Sequence, residues 1–229
     1  MSNPLNAAVP AGFQNAVVTL IAADGTSAKV LVDTMAAALA TATTPLYFGG
    51  GTMLDGTVSS TDAAAKDVLL WLGIVQTVVG ASTGVATTTT GTITRAVGDF
   101  VAEGWKPGAL VMLFNDTTAA RQANDGVLGI ITTVAAATLT VNGAPFSALT
   151  LTTGVRMCRM VCKFRAPVAA SAGTNGTTPN VNLLGNGMDS AILRTEQKLG
   201  ATELLAVSVA AAVSVLPAYI NVGAQTARY

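Results

Sequence analysis

The sequence contains no histidine and only two cysteines among its 229 residues. These are the side chains that most often bind zinc, and histidine is the most frequent general acid or base in enzymes. The 12 carboxylates fall mostly in predicted turns or at the ends of predicted elements, where capping and solvation account for them. Asp116 and Asp125 lack the close spacing of a calcium loop. We therefore predict no catalytic, cofactor-binding or metal-binding residues, and no enzyme.

Charge is scarce as well. Charged residues make up 10% of the chain, against about 25% in a typical soluble domain, and the formal net charge is zero. With only 12 Lys and Arg residues, the basic patch that phosphate binding requires is not expected, which argues against nucleic acid. The one basic cluster comprises Arg156, Arg159, Lys163 and Arg165, and it lies in a predicted strand that we interpret as half-exposed. Low charge favours packing against copies of the same chain or a larger assembly, although neutral secreted or cell-surface β-domains have a similar composition.

Long apolar runs are also missing. The most apolar segment, Leu204–Leu216, has 13 residues, too few to span a bilayer. Residues 1–14 have neither a basic start nor a continuous apolar stretch, so we expect no secretory signal. We predict no membrane partner.

Aromatic residues are few, and the two tryptophans receive different interpretations. Trp71 lies within an apolar run and is predicted to be in the core. Trp105 lies between Gly104 and Lys106 and is predicted to be exposed, where it would be able to stack on a sugar. A carbohydrate-binding module is therefore a weaker alternative, and no other small-molecule substrate is indicated.

Cys158 and Cys162 are four residues apart in a predicted strand. Four strand residues span about 13 Å, which exceeds the Cα separation that a disulfide allows. We predict two free thiols, buried or half-buried, which fits folding in a reducing cytoplasm.

What the sequence does contain is a series of short apolar runs separated by turn signals. The turns are marked by Gly98-Asp99, Pro107-Gly108 and Asn124–Gly126. The central runs are Thr92–Thr94, Leu110–Phe114, Val127–Val134 and Thr138–Val141. This pattern predicts an antiparallel β-meander that closes into a small barrel or sandwich. The predicted fold class is mainly β, an antiparallel β-sandwich or small barrel with at most one or two short helices.

The flanking segments extend this core. Residues 14–22 and 28–32 are predicted to form a hairpin, and residues 35–42 a short helix. Residues 67–80 are predicted to form a strand covered on both faces, with a helix beginning at Thr61 or Asp62 as the competing interpretation. The predicted organisation is an N-terminal arm (1–12), an N-terminal β region (13–91), the central meander or barrel (92–165), a loop (166–182), and C-terminal strands with an assembly segment (183–229). Whether residues 1–91 form a separate domain stays open at this point.

The central region, with its phrase GDFVAEGWKPGALVML, resembles structural proteins of tailed bacteriophages. The resemblance covers about 50 residues and consists of a hairpin with a glycine entry turn and an Asn-Asp-Gly return. The matching residues are Gly98, Phe100, Gly104, Pro107-Gly108, Asn124-Asp125-Gly126, Ile130-Ile131, Val134 and Leu139–Val141. We see no long helix of the kind that major capsid proteins carry.

The resemblance implies a non-enzymatic virion protein. We expect a capsid decoration or cement protein that stabilises the phage head through subunit–subunit contacts, made in the host cytoplasm. Its expected partners are itself, as a homotrimer, and the major capsid protein. The expected contacting segments are Met1–Gly12, Ala166–Asn182 and Leu204–Tyr229. A tail or neck component, of the adaptor or tail-tube type, is the alternative.

Overall fold

Runs of Val, Thr, Ile and Leu form strands along most of the chain that the structure describes. The structure, a computed structural model, describes residues 13–33, 46–47, 51–79, 84–115, 123–151, 154–171, 181–182, 197–200, 202–214 and 218–228. The predicted arm (1–12) and the predicted short helix (35–42) lie outside these residues. The strands are β1 (Phe13–Ile21), β2 (Lys29–Asp33), β3 (Leu46–Tyr47), β4 (Gly51–Ser60), β5 (Lys66–Val79), β6 (Val85–Thr87), β7 (Thr92–Arg95), β8 (Leu110–Asn115), β9 (Leu128–Ala135), β10 (Thr138–Val141), β11 (Leu149–Leu151), β12 (Val155–Val168), β13 (Val181–Asn182), β14 (Gln197–Leu199), β15 (Glu203–Val209) and β16 (Tyr219–Arg228). One short 3₁₀ turn, Ala22–Asp24, follows β1.

The chain divides into two compact units. One unit is discontinuous in sequence and comprises residues 1–72 and 162–229, whereas residues 73–161 form the inserted unit. The boundaries fall within the two longest strands, β5 and β12. The predicted central region, residues 92–165, therefore corresponds largely to the inserted unit, and the predicted 13–91 region contributes residues to both units.

The discontinuous unit is a β-sandwich. One sheet has the order β1-β16-β4, with β13 and β14 both pairing with β4. The other contains β15 beside β2 in antiparallel register, and β2 pairs with β3 in parallel over two residues. The fully buried core takes side chains from both sheets, with Leu20 of β1, Leu31 of β2 and Val58 of β4 among them. Interdigitation of the two inner faces stabilises this unit.

The inserted unit has the strand order β11-β6-β7-β10-β9-β8-β12. Strands β8, β9 and β10 form the antiparallel meander that the sequence predicts. β7 pairs with β10 and not with β8, which gives the four strands a Greek-key order. A second, separate core includes Ile93, Val111, Ile131 and Leu139, all at most 1% exposed.

The fold class predicted from the sequence is confirmed: the protein is mainly β, with two antiparallel sheets and no closed barrel among the described strands. Residues 66–79 form a strand and not the competing helix. The predicted hairpin of residues 14–22 and 28–32 is wrong, because β1 pairs with β16 and β2 pairs with β15. Pairing between strands distant in sequence overrides the local turn signal at Asp24-Gly25.

Two further differences arise from tertiary pairing. Residues 51–60, with Gly, Asp and Ser among them, were not predicted as a strand, yet β4 is held between β16 on one side and β13 and β14 on the other. The predicted loop 166–182 is wrong in its first residues, because β12 continues to Val168 with Ala166 and Val168 buried. Strand formation at these positions reflects packing more than intrinsic propensity.

The inserted unit offers a direct test of its core. We expect Leu139→Ala to lower the free energy of unfolding by about 2–5 kcal/mol, because it empties a fully buried site. Ile130→Ala, on the neighbouring strand but 44% exposed, should change it by less than about 0.5 kcal/mol. Urea unfolding followed by circular dichroism measures both variants, and equal losses would contradict the assignment of the core.

Candidate interaction surface

A buried carboxylate, Asp62, ties together three separate segments of the discontinuous unit. Its side chain is fully buried, and its Oδ1 accepts hydrogen bonds from the Ala64 N–H (2.9 Å) and the Ser214 hydroxyl (2.8 Å). Its Oδ2 accepts from the Ser214 N–H (2.8 Å) and lies 3.5 Å from the Lys66 ammonium. The backbone C=O of Asp62 accepts from the Ser171 N–H at 2.7 Å. We call these five residues the Asp62 cluster.

The hydrogen bonds in this cluster determine the ionisation of Asp62. Burial disfavours the charged carboxylate, but the bonds from Ser214 and Ala64 and the nearby Lys66 charge outweigh it. The pKa of Asp62 is therefore lowered from its ordinary value of 3.8. The carboxylate is charged at neutral pH, and its hydrogen bonds hold the segments around Ala64 and Ser214 together.

We expect Asp62→Asn to destabilise the protein by about 1–3 kcal/mol at pH 7, because the variant lacks the ionised acceptor of a buried network. A carboxylate with a lowered folded-state pKa stabilises the protein above its unfolded pKa, and this stabilisation is lost as the pH falls through the folded pKa. The difference between wild type and variant should therefore shrink below about pH 4.

Asp67→Asn is the matched control for this experiment. Asp67 forms an ion pair with Arg165, whose side chain is 67% exposed, so its loss should cost at most about 1 kcal/mol. Urea unfolding at pH 7 and pH 3 measures both variants. A deficit for Asp62→Asn that is the same at both pH values would show that the charge of Asp62 has no part in the tie.

A second polar network lies in the inserted unit beneath the loop of residues 96–104. The Arg95 guanidinium donates from Nη1 to Glu103 Oε1 (2.6 Å) and from Nε to the Val97 C=O (2.8 Å), and it lies 4.7 Å from the centre of the Phe100 ring. The Thr77 hydroxyl donates to the other carboxylate oxygen of Glu103. Arg95 is 3% exposed in its side chain, so this ion pair is an internal support for the loop.

Trp105 belongs to the same network. Its ring is 3% exposed, and its indole N–H donates to the Thr77 hydroxyl at 3.0 Å. The prediction of an exposed Trp105 is wrong, because the turn that follows it directs the ring into the core beside Phe100. The carbohydrate alternative thereby loses its proposed stacking platform. Trp71 is buried as predicted, and its N–H donates to the Ser208 hydroxyl.

A substitution at Gly98 tests whether the Arg95 side chain supports the loop of residues 96–104. Gly98 has a φ of +107°, and a Cβ added there would lie 1.9 Å from Arg95 Nη2. We expect Gly98→Ala to displace the guanidinium from Glu103 and to lower the free energy of unfolding by about 2–4 kcal/mol, from backbone strain together with the broken ion pair.

Gly108→Ala is the matched control. Gly108 also has a positive φ, +83°, but a Cβ there would meet nothing within 4 Å. It should therefore show the backbone strain alone, about 1–2 kcal/mol. Thermal unfolding of both variants measures the difference, and equal destabilisation would argue against the Arg95 contact as the cause.

The predicted basic cluster separates into buried and exposed members. Arg159, Lys163 and Arg165 are exposed, whereas Arg156 is only 2% exposed. The prediction of a half-exposed strand is therefore wrong at Arg156, because the first four residues of β12 are buried on both faces. Together with Asp62 and Arg95, Arg156 is one of three charged residues buried in the described part of the chain.

The cysteines form no disulfide. Neither is in a disulfide, as predicted, and Cys158 is buried. The prediction of a buried or half-buried side chain is wrong for Cys162, which is exposed because it lies beyond the buried first residues of β12. Although Cys162 is exposed, neighbouring protein atoms desolvate its thiol and raise the pKa despite the nearby Arg165 charge. A raised pKa keeps the thiol protonated at neutral pH and therefore weakly nucleophilic.

No group of three or more His, Cys, Asp or Glu side chains suited to a metal ion occurs among the described residues. Asp125 is described, but Asp116 lies outside the described residues, so the structure does not test their pairing around calcium. Within the same described part of the chain, no helix has the length and apolarity to cross a membrane.

The exposed large apolar side chains are the features that face solvent without an internal role. They are Val17, Val78, Val97, Val101, Ile130, Val161 and Tyr219. Val97 and Val101 project from the loop that the Arg95 network supports, and they are 59% and 56% exposed. Val17 and Tyr219 lie on the paired strands β1 and β16. Val97 and Val101 in the inserted unit, and separately Val17 and Tyr219 in the discontinuous unit, are the candidate contact residues among those described.

The predicted contacting segments have different positions in the structure. Met1–Gly12 and residues 172–180 of the predicted loop lie outside the described residues. In the segment Leu204–Tyr229, β16 pairs with β1 and β4, and β15 lies between β2 and β5. Both strands therefore pair within their own chain. The edge of β1 is a candidate contact that the sequence analysis does not predict. The feature that points to it is the lack of any charged residue in its nine residues, FQNAVVTLI.

Comparisons with family models, with curated proteins and with solved structures gave no match for this chain.

Proposed function

We propose that this chain is a non-enzymatic structural protein of a phage virion, a decoration or cement protein that binds the major capsid protein and other copies of itself on the head. The observation that carries the proposal is the small number of charged side chains available at the surface. The chain has few charged residues, and three of those described are buried. Among the described residues, most exposed side chains are neutral and small. The resemblance of residues 92–141 to phage structural proteins supports the same function.

A neutral surface suits a protein that is covered on several sides. Burying charged groups at an interface costs desolvation energy unless every charge is paired. Here Asp62 and Arg95 are paired inside their own units, so the corresponding charges need not be desolvated when the protein binds. Contact with a neighbouring subunit then buries mainly Val, Ala and Thr.

A cement protein must also resist deformation. Extended ladders of backbone hydrogen bonds and two fully buried cores supply rigidity within each unit. Loop 96–104 is held by Arg95 from below and by Asp99, whose Oδ1 accepts from the Val101 and Ala102 N–H groups. Val97 and Val101 are thus presented on a fixed backbone. Many such modest contacts, repeated over a shell, give a large combined affinity.

The first experiment is to count copies of this chain in purified particles by quantitative mass spectrometry, with the major coat protein as internal standard. We expect about one copy per coat subunit, because a protein that occupies every equivalent site of a symmetric shell occurs once per site. About a dozen copies or fewer would indicate a ring in the neck or tail. Absence of the chain from purified particles would overturn the virion proposal.

A second measurement tests the cement role directly. Heads assembled without this chain should release their DNA at a lower temperature than complete heads, and addition of the purified protein should restore the higher temperature, since a ligand that binds the intact shell stabilises it. A strict monomer that does not bind heads would contradict the proposal. The homotrimer expected from the resemblance remains a prediction, which the mass of the purified protein tests.

A further inference from the structure

Strand β1 is the last strand of its sheet, and one of its edges is not paired with any described strand. It pairs along its whole length with β16, from Phe13 opposite Ala227 to Ile21 opposite Tyr219, without a bulge. In the described part of the chain no strand pairs with its other side. At the opposite end of the sheet, β13 and β14 have only two and three residues, so β1 is the long free edge.

Two hydrogen bonds identify which backbone groups face this edge. The Ile21 N–H donates to Asp24 Oδ2 at 2.8 Å, and the Lys29 ammonium donates to the Thr19 C=O at 2.8 Å. These groups are therefore directed away from β16. In a regular antiparallel pair, the N–H and C=O of alternate residues point to the same side. The outward groups of β1 are accordingly those of Phe13, Asn15, Val17, Thr19 and Ile21.

The same two bonds close one end of the edge. Asp24 and Lys29 form an ion pair of 2.8 Å, and together they occupy the Ile21 N–H and the Thr19 C=O. A strand from another chain is thus excluded from this end. No described residue closes the other end, where the backbone groups of Phe13, Asn15 and Val17 face outward.

Within Phe13–Ile21, the open end carries none of the usual protection against pairing. Edge strands are commonly protected by lysine, proline or a bulge, and β1 contains no charged residue and no proline. Val17 is 65% exposed, the highest value among the large apolar side chains described. An edge of this kind binds another strand through backbone hydrogen bonds.

We propose that the open end of β1 pairs antiparallel with β1 of a second copy of this chain across a two-fold axis. A strand that pairs with itself in this way is self-complementary, and the absence of charge means that like charges do not meet. The Asp24–Lys29 ion pair determines the register, because it leaves Phe13 to Val17 free. Asn15 then lies opposite Asn15 of the partner subunit, and Val17 lies opposite Phe13 of the partner subunit.

This inference does not rest on the proposed function, because it concerns the isolated protein. A two-fold contact cannot be the contact that closes a trimer. If the chain is a trimer through another surface, the β1 contact joins two trimers. In either case, loss of the contact halves the particle mass.

The first test uses a backbone change at Val17. We expect Val17→Pro to halve the mass measured by sedimentation velocity, because proline removes the outward N–H but leaves the bonds to β16 in place. Val17→Thr, which keeps the N–H and the strand propensity, should keep the wild-type mass. Circular dichroism checks that both variants are folded. A single-copy mass for the wild type, or an unchanged mass for a folded Val17→Pro, would overturn the proposal.

The second test does not depend on how well proline is tolerated. In a Cys162→Ser background, Asn15→Cys should form an intermolecular disulfide on mild oxidation, since directly opposed Cα atoms are about 5.5 Å apart. Thr19→Cys is the control: in the proposed register the two Thr19 positions lie roughly 27 Å apart along the strands, so no cross-link is expected. Equal cross-linking of both variants, or none with Asn15→Cys, would overturn the register and with it the two-fold contact.

Discussion

Pairing of the backbone is the constraint on which this structure depends. A chain of mostly Ala, Thr, Gly and Val has few large side chains to fill a core and few ionic groups to add specific bonds. The N–H and C=O groups of its extended segments must nevertheless find partners wherever they are buried. Two antiparallel sheets satisfy this requirement along nearly every described strand. The short strands β3, β13 and β14 show how completely it is met, because even two or three residues are used to cover an edge.

Several charged side chains lie where ladders end. Asp62 lies between β4 and β5 and accepts N–H groups from Ala64 and Ser214, neither of which belongs to a strand. Arg95 ends β7, and its guanidinium bonds to the C=O of Val97 in the following loop. Asp24 and Lys29 bond to the backbone of β1 on the edge that no described strand pairs. At these three places, charged side chains bond to backbone or side-chain groups outside the strand ladders, whereas Arg159, Lys163 and Arg165 are exposed along β12.

The sequence predicts the strands better than it predicts their partners. Period and turn signals place β7 to β10 within one or two residues, because each of these strands has an apolar face bounded by Gly, Pro or Asn. They cannot show that β7 pairs with β10, since that contact closes over more than 40 residues and leaves no local mark. β4 was missed because its Gly and Ser residues are weak strand formers, and only its position between other strands makes it one.

The candidate surface was predictable only in part. Low charge predicts contact with neighbouring subunits, and this stays a prediction. The burial of Arg156 and Trp105 is not predictable from the sequence pattern, because it depends on three-dimensional packing. The alternation along β12 predicts one solvent-exposed face and therefore an exposed Arg156. At the first four residues of β12, however, both faces are buried. Trp105 was misplaced because flanking turn residues resemble an exposed loop. In each case the sequence pattern favours a position near water, whereas the structure buries the side chain.

The position of β16 between β1 and β4 has a consequence for synthesis on the ribosome. Residues 13–21 and 51–60 are made early, yet the strand that separates them is made some 160 residues after β4. Until residues 219–228 leave the exit tunnel, this sheet lacks its middle strand. Residues 73–161, in contrast, contain every described strand of their own core. Only β5 and β12 extend beyond this range. The inserted unit is therefore able to fold before β1 and β4 have their common partner. A nascent chain halted before residue 219 would leave the β16-facing backbone edges of β1 and β4 unpaired and open to chaperones and other nascent chains.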